Sequence, residues 1–319
     1  MRIILLGTGP FVVPTLRALN TSDHELLLVV SRPPRGRRAP PAPVCVAANA
    51  LGVEVWTPVT VNSDDARARL AALEADLLVV CDYGEILKGA TLDVTRLGGI
   101  NLHGSLLPKY RGAAPVQWAV LNGDAETGNT VIQMTSGLDA GPALGIDRVT
   151  IGTEETAGEL EARLAELGAH LVLQVVDQLA RDSACPVVQD SSQATRAPRL
   201  TKADGLIDWS CPSGHIHNRV RAMQPWPRAY THWLRDQGEP LRLIVHRVAN
   251  VNEEAGVGDF EPGTVLQADS RLLVATGDGP LEVLELQPAG KKSLLAGPFL
   301  RGYPVRNGDR LGNSSLHQN

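Results

Sequence analysis

Asn101 and His103 close the apolar run GINLH, and an extended strand turns residues i and i+2 to the same face. An amide and an imidazole projecting together beyond a strand end can hold a developing oxyanion and move a proton. The loop GSLLPKYRGAAP follows at once, with Gly104 and Gly112 permitting close backbone approach and Pro108 fixing a bend. A second loop, SGLDAGPA, sets one acid, Asp139, between apolar residues and glycines. Amide, imidazole and carboxylate together suffice for acyl transfer without a covalent nucleophile. Ser105 lies beside them, but nothing in the sequence pairs it with a base, and it reads as the donor of a loop hydrogen bond. How His103 and Asp139 divide the proton transfers stays open at this level.

The elements that must position these groups alternate along the chain. RIILLG, ELLLVVS (Glu25 to Ser31), VEVW (Val53 to Trp56), DLLVVCDY (Asp76 to Tyr83) and GGINLH (Gly98 to His103) read as strands. PFVVPTLRAL, VCVAANALG and DDARARLAALEA read as helices between them. That alternation predicts an α/β domain with a doubly wound, mostly parallel sheet. Ligands in such sheets lie beyond the carboxyl ends of strands where strand order reverses, and INLH is expected to end there. A helix APVQWAVLNG, strands NTVIQMT and LGIDRVTI, and a long amphipathic helix from about Thr156 to Arg181 complete a first domain over 1–189. The polar, aperiodic stretch that follows predicts a linker over 190–205. In 206–319 come a short helix, SGHIHNRVRAM, and five short strands, AYTHWL, LRLIVHRV, GTVLQAD, RLLVAT and LEVLELQ, the last two joined by the turn GDG. Such spacing suggests a small β-barrel or sandwich. Trp209, Trp226 and Trp233 are expected to close its core, whereas His215 and His217 diverge by roughly 200° on a helix and make no metal pair.

The chain of 319 residues, 43% hydrophobic and 20% charged, has room for two globular domains. Its four cysteines are scattered without metal-ligand spacing, so no metal site is expected. No apolar run is long enough to cross a membrane, and Gly and Pro interrupt the start too early for a signal peptide, so a cytoplasmic protein without membrane association is expected. A net charge of −5 argues against a broadly basic surface. One stretch runs against that total: RPPRGRRAPPAPV carries Arg32, Arg35, Arg37 and Arg38 with no acid among them.

The block NLHGSLLPKYRGAAPVQWAVLNGDAETGNTVIQMTSGLDAGPAL, Asn101 to Leu144, resembles the formyltransferases that use 10-formyltetrahydrofolate. LLGTGPF, DYGEIL, IDWS, RAMQPWPRAYT, VATGDG and LQPAGKK extend that resemblance, in order, over nearly the full length. It implies a Rossmann-like formyltransferase domain followed by an OB-like β-barrel domain. It implies that Asn101, His103 and Asp139 are the catalytic residues and that Ser105, Leu106, Leu107 and Pro108, with Tyr83 and Gly84 from the neighbouring strand end, line a folate pocket. Asp82 departs from the family pattern, which has a small or apolar residue there. The implied donor is 10-formyltetrahydrofolate, with no metal. Relatives formylate glycinamide ribonucleotide or amino-sugar nucleotides, or release formate, and the triad does not choose among these. Three features point instead to initiator methionyl-tRNA: the basic loop with Arg35, Arg37 and Arg38, the wording RGAAPVQW, and a C-terminal domain whose QPAGKK offers Lys291 and Lys292. A monomer is expected.

Overall fold

In the computed structural model, which describes residues 1–34, 36, 39–235, 237–251 and 260–313, chain contacts divide the protein into two units. The first holds residues 1–116, 126–151 and 159–198, and the second holds 117–125, 152–158 and 199–319.

The first unit begins with β1 (Arg2–Gly7), α1 (Val13–Asn20), β2 (Glu25–Val30), α2 (Pro43–Ala50), β3 (Val55–Trp56), α3 (Asp64–Ala71), β4 (Leu77–Cys81), α4 (Gly89–Leu92) and β5 (Gly99–His103). The continuous apolar run of β4 is buried throughout, as a strand covered on both faces must be. α3 begins where the Ser63 hydroxyl accepts from the Ala66 N–H, with Asp64 and Asp65 in its first turn against the helix dipole. Then come β6 (Arg111–Gly112), α5 (Pro115–Leu121), β7 (Glu126–Gln133), β8 (Ala143–Thr150), α6 (Ala157–Ala180) and β9 (Arg196–Ala197).

The sheet order is β3-β2-β1-β4-β5-β7-β8, parallel from β3 to β5 and antiparallel at β5–β7 and β7–β8. Strand order therefore reverses between β1 and β4, and β5 ends one strand away from the reversal rather than at it. The cause is topological: β5 follows β4 and simply extends that half of the sheet. α6 approaches the back of β5 so closely that a Cβ on Gly168 would lie 2.8 Å from Leu102 Cδ2.

Part of the stretch expected to be a linker is tied to the first unit. β9 pairs in parallel with β6, and the Ala113 N–H donates to the Ala197 carbonyl at 2.8 Å. Its sequence is polar and aperiodic because its bonds go to one short strand rather than to a buried ladder.

The second unit contains α7 (Ser213–Ala222), β10 (Tyr230–Leu234), β11 (Leu241–Asn250), β12 (Val265–Ala268), β13 (Leu272–Ala275), β14 (Pro280–Pro288), β15 (Leu294–Leu295), α8 (Ala296–Gly302) and β16 (Arg310–Gly312). The order β12-β13-β14-β11-β10-β16 is antiparallel throughout, with β15 added to β14. A bridge between Thr264 and Arg310, with the Val265 N–H donating to the Asp309 carbonyl at 2.8 Å, joins the two ends into a nearly closed barrel. Trp209 and Trp233 are buried in it, and their indole N–H groups donate to Thr231 Oγ1 at 3.0 Å and Asp309 Oδ2 at 2.9 Å. Trp226 is 51% exposed and does not join that core. It lies between Pro225 and Pro227 in the connection from α7 to β10, outside the alternation that buries Trp233.

Candidate active site

β5 delivers Asn101 half-buried and His103 buried, while Leu102 between them turns the other way towards Gly168. Among the described residues the Asn101 side-chain amide has no hydrogen-bond partner. His103 Nε2 lies 2.9 Å from the Tyr110 carbonyl. A carbonyl only accepts, so Nε2 carries the proton of the neutral ring and the lone pair is on Nδ1. Nδ1 is 3.8 Å from Asp139 Oδ2, too far for a hydrogen bond and close enough for an ion pair once the ring is protonated. Asp139, at φ 48°, is itself held: its Oδ2 accepts from the Gly112 N–H at 2.9 Å, and its carbonyl accepts from Gln189 Nε2 at 2.9 Å. The structure thus brings His103 and Asp139 together, with Asn101 two residues back on the same strand.

The residues that the resemblance assigns to folate fall into two sets. Ser105 is fully buried and its hydroxyl donates to the Lys109 carbonyl at 2.7 Å, the loop bond that the sequence suggests. Thr130 on β7 pins the same loop, donating to the Ser105 carbonyl at 2.7 Å and accepting from the Leu107 N–H at 3.1 Å. Leu106 and Pro108 stay half-buried and Leu107 is buried, so the turn presents an apolar wall with its backbone fixed. Tyr83 differs. Its ring packs in the core with Ile4, Leu6 and Val80, and among the described residues its buried hydroxyl makes no hydrogen bond. Burial foremost, and the Glu85 carboxylate next, push the phenol up to about 12, against the opposing Arg32. Its carbonyl accepts from Thr8 Oγ1 at 3.0 Å, so Tyr83 faces the strand end by backbone alone, beside exposed Gly84 at φ 80°. Asp82, at φ 48°, lays its carboxylate over the loop after β1, where a Cβ on Gly9 would meet Oδ2 at 1.9 Å.

Of the basic residues, Arg35, Arg37 and Arg38 lie outside the described residues. Arg32 at the base of that stretch is not a free cation, because its guanidinium pairs with Glu85 and donates to the Val59 carbonyl at 2.8 Å. Lys291 and Lys292 are exposed in the turn after β14. Among the described residues no three His, Cys, Asp or Glu side chains are grouped to hold a metal ion, and no helix is long and apolar enough to cross a membrane. Sequence reasoning missed Tyr110, Thr130, Gln189 and Thr195. A buried threonine opposite His103 in β7 carries no local signal, and the last two sit in a stretch without periodicity.

The Formyl transferase family matches residues 1–176, and its C-terminal domain family matches residues 199–304. The chain is 43% identical to the methionyl-tRNA formyltransferase of Solibacter usitatus over 99% of its own length and 100% of the relative's. To that of Acidiphilium cryptum it is 45% identical, over 98% of its length and 100% of the relative's. Among solved structures it is similar in fold to an N-formyltransferase from Helicobacter canadensis in complex with folinic acid and dTDP-3-aminofucose, with a TM-score of 0.68 and 17% identity over 88% of this chain and 98% of that one.

Proposed function

Because the chain belongs to the formyl transferase family, we propose that Asn101, His103 and Asp139 carry its chemistry, and that Ser105, Leu106, Leu107 and Pro108 with the Tyr83–Gly84 backbone hold the donor. The reaction is transfer of a formyl group to the α-amino group of methionyl-initiator tRNA. The observation that carries the assignment of roles is the free Nδ1 of His103 facing Asp139 at 3.8 Å beside an uncommitted amide. 10-Formyltetrahydrofolate supplies the formyl group, and the apolar turn Leu106–Pro108 with its fixed peptide groups suits a flat pterin. The Asn101 amide N–H groups stabilise negative charge developing on the formyl oxygen, an effect of roughly 3–4 kcal/mol for a well-placed donor. His103 Nδ1 accepts the proton released by the attacking amine and returns it to the departing nitrogen. Asp139 stabilises the imidazolium formed between those steps. Arg35, Arg37, Arg38, Lys291 and Lys292 are the proposed phosphate contacts. The proposed working form is a monomer in the cytoplasm.

The test is formyl transfer to charged initiator methionyl-tRNA beside charged elongator methionyl-tRNA and a panel of amino-sugar nucleotides. Rapid transfer confined to the initiator is expected, and transfer to a sugar amine alone overturns the choice of substrate. His103→Ala is expected to lower kcat by about 10²–10⁴-fold while folate still binds, and retained turnover removes His103 from the mechanism.

A further inference from the structure

The segment after α6 contains none of the proposed reacting groups, yet it holds both loops that present them. Gln189 Nε2 donates to the Asp139 carbonyl at 2.9 Å and the Gly141 carbonyl at 2.7 Å, while its Oε1 accepts from Arg111 Nη2 at 2.7 Å. Six residues on, Thr195 takes two bonds from the other loop. Its Oγ1 accepts from the Tyr110 N–H and its carbonyl from the Arg111 N–H, each at 2.8 Å.

Those two N–H groups flank the Tyr110 carbonyl that receives His103 Nε2. Tyr110 is buried and at φ 64°, a left-handed conformation that a bulky residue keeps only when its surroundings over-determine it. Thr195 supplies that constraint. Its carbonyl also closes a line of bonds through one peptide: the Arg111 N–H donates to Thr195, and the carbonyl of the same peptide accepts from His103. Each bond in such a line polarises the next. A polarised carbonyl aimed at Nε2 selects the ring tautomer protonated there and leaves Nδ1 to face Asp139.

We propose that Thr195 is a positioning residue for the reaction: by fixing Tyr110 it sets the tautomer and orientation of the His103 ring. The proposal rests on the reading of His103 as the proton carrier and goes beyond it, since Thr195 lies 92 residues away in a segment without a reacting group.

The experiment uses the full chain with ¹⁵N-labelled histidine, with ring nitrogen shifts recorded without substrate and kcat and KM measured separately. Thr195→Val keeps the shape and backbone but removes the Oγ1 acceptor. The expected wild-type spectrum places the neutral-ring proton of His103 on Nε2. Thr195→Val is expected to mix the two tautomers and lower kcat about tenfold, with KM for both substrates within about twofold, and Thr195→Ser to restore both readouts. Wild-type kcat and one unchanged tautomer in Thr195→Val overturn the proposal. So does a wild-type ring protonated on Nδ1, which needs no variant to fold. A wild-type protein that does not formylate methionyl-tRNA overturns the functional reading instead, whatever the tautomer proves to be.

Discussion

His103 has one ring nitrogen bonded to a backbone carbonyl and the other facing a carboxylate, so its proton traffic has one door. The pair Asn101 and His103 is legible in sequence only in context, because NxH at a strand end is by itself more often a cap, and it is the glycines, the proline and the Asp139 loop that point to chemistry. Tyr83 is not legible in the same way. Its position beside the strand end suggests a ligand wall, whereas its ring turns into the core and its hydroxyl makes no hydrogen bond among the described residues. Two outcomes follow for Tyr83→Phe. At neutral pH it should leave folate KM unchanged and hold stability level or raise it by up to about 1 kcal/mol, since an unmatched buried hydroxyl is removed. At alkaline pH the sign is fixed by the raised phenol. The unfolded chain loses that proton near pH 10, before the folded one does, so wild-type stability falls as pH rises from there towards about 12. Thermal melts at neutral pH and above pH 10 should show the variant losing less, and parallel losses would mean that Tyr83 does not govern the alkaline limb.

At the level of elements, the parallel half of the sheet was legible from alternating apolar and amphipathic runs, but β6 and β9 are two residues each and exist only through each other. The packing of α6 on β5 is likewise set by space. Alanine at Gly168 would favour the helix by about 1 kcal/mol, yet its Cβ would press on both Leu102 methyls, at 2.8 and 2.9 Å. Overpacking of that kind costs about 1–3 kcal/mol, so Gly168→Ala should be destabilising on balance, and kcat should fall because Leu102 sits between Asn101 and His103. A more stable variant with full kcat would show that α6 yields freely. In the second unit the GDG turn, expected only to join two strands, also caps a helix. Pro212 offers α7 no side-chain cap, and Asp278 from the turn accepts from the Ser213 N–H at 2.7 Å. That backbone bond, foremost, holds the Asp278 carboxyl below its ordinary range. The stabilisation is therefore present above the ordinary carboxylate pKa and lost as pH falls through the lowered value. Asp278→Ala should cost about 1 kcal/mol at neutral pH, and the deficit should shrink in acid melts.

For the whole molecule, a change of composition after α6 marks a second unit, but not that residues 117–125 and 152–158 belong to it. Residues 152–158 are bonded to α7 there, Arg221 Nη1 donating to the carbonyls of Gly152 at 2.9 Å and Glu155 at 3.2 Å, which no local pattern announces. Charge has the same character. With 30 basic and 35 acidic side chains the net field repels a polyanion at long range, so attraction to tRNA must come from a few local clusters. Arg32 is already paired with Glu85, so the phosphate contacts proposed within that stretch are Arg35, Arg37 and Arg38. An interface built on few charges should be sensitive to each of them. Neutralising Arg37 and Arg38 together should weaken tRNA binding and reduce the slope of log affinity against log salt by about 2, near one unit for each phosphate that is no longer neutralised. The same measurement on Lys291→Gln with Lys292→Gln separates the two clusters. A slope unchanged in either pair removes that cluster from the interface, because a cation that displaces no counterions cannot be touching the phosphate chain.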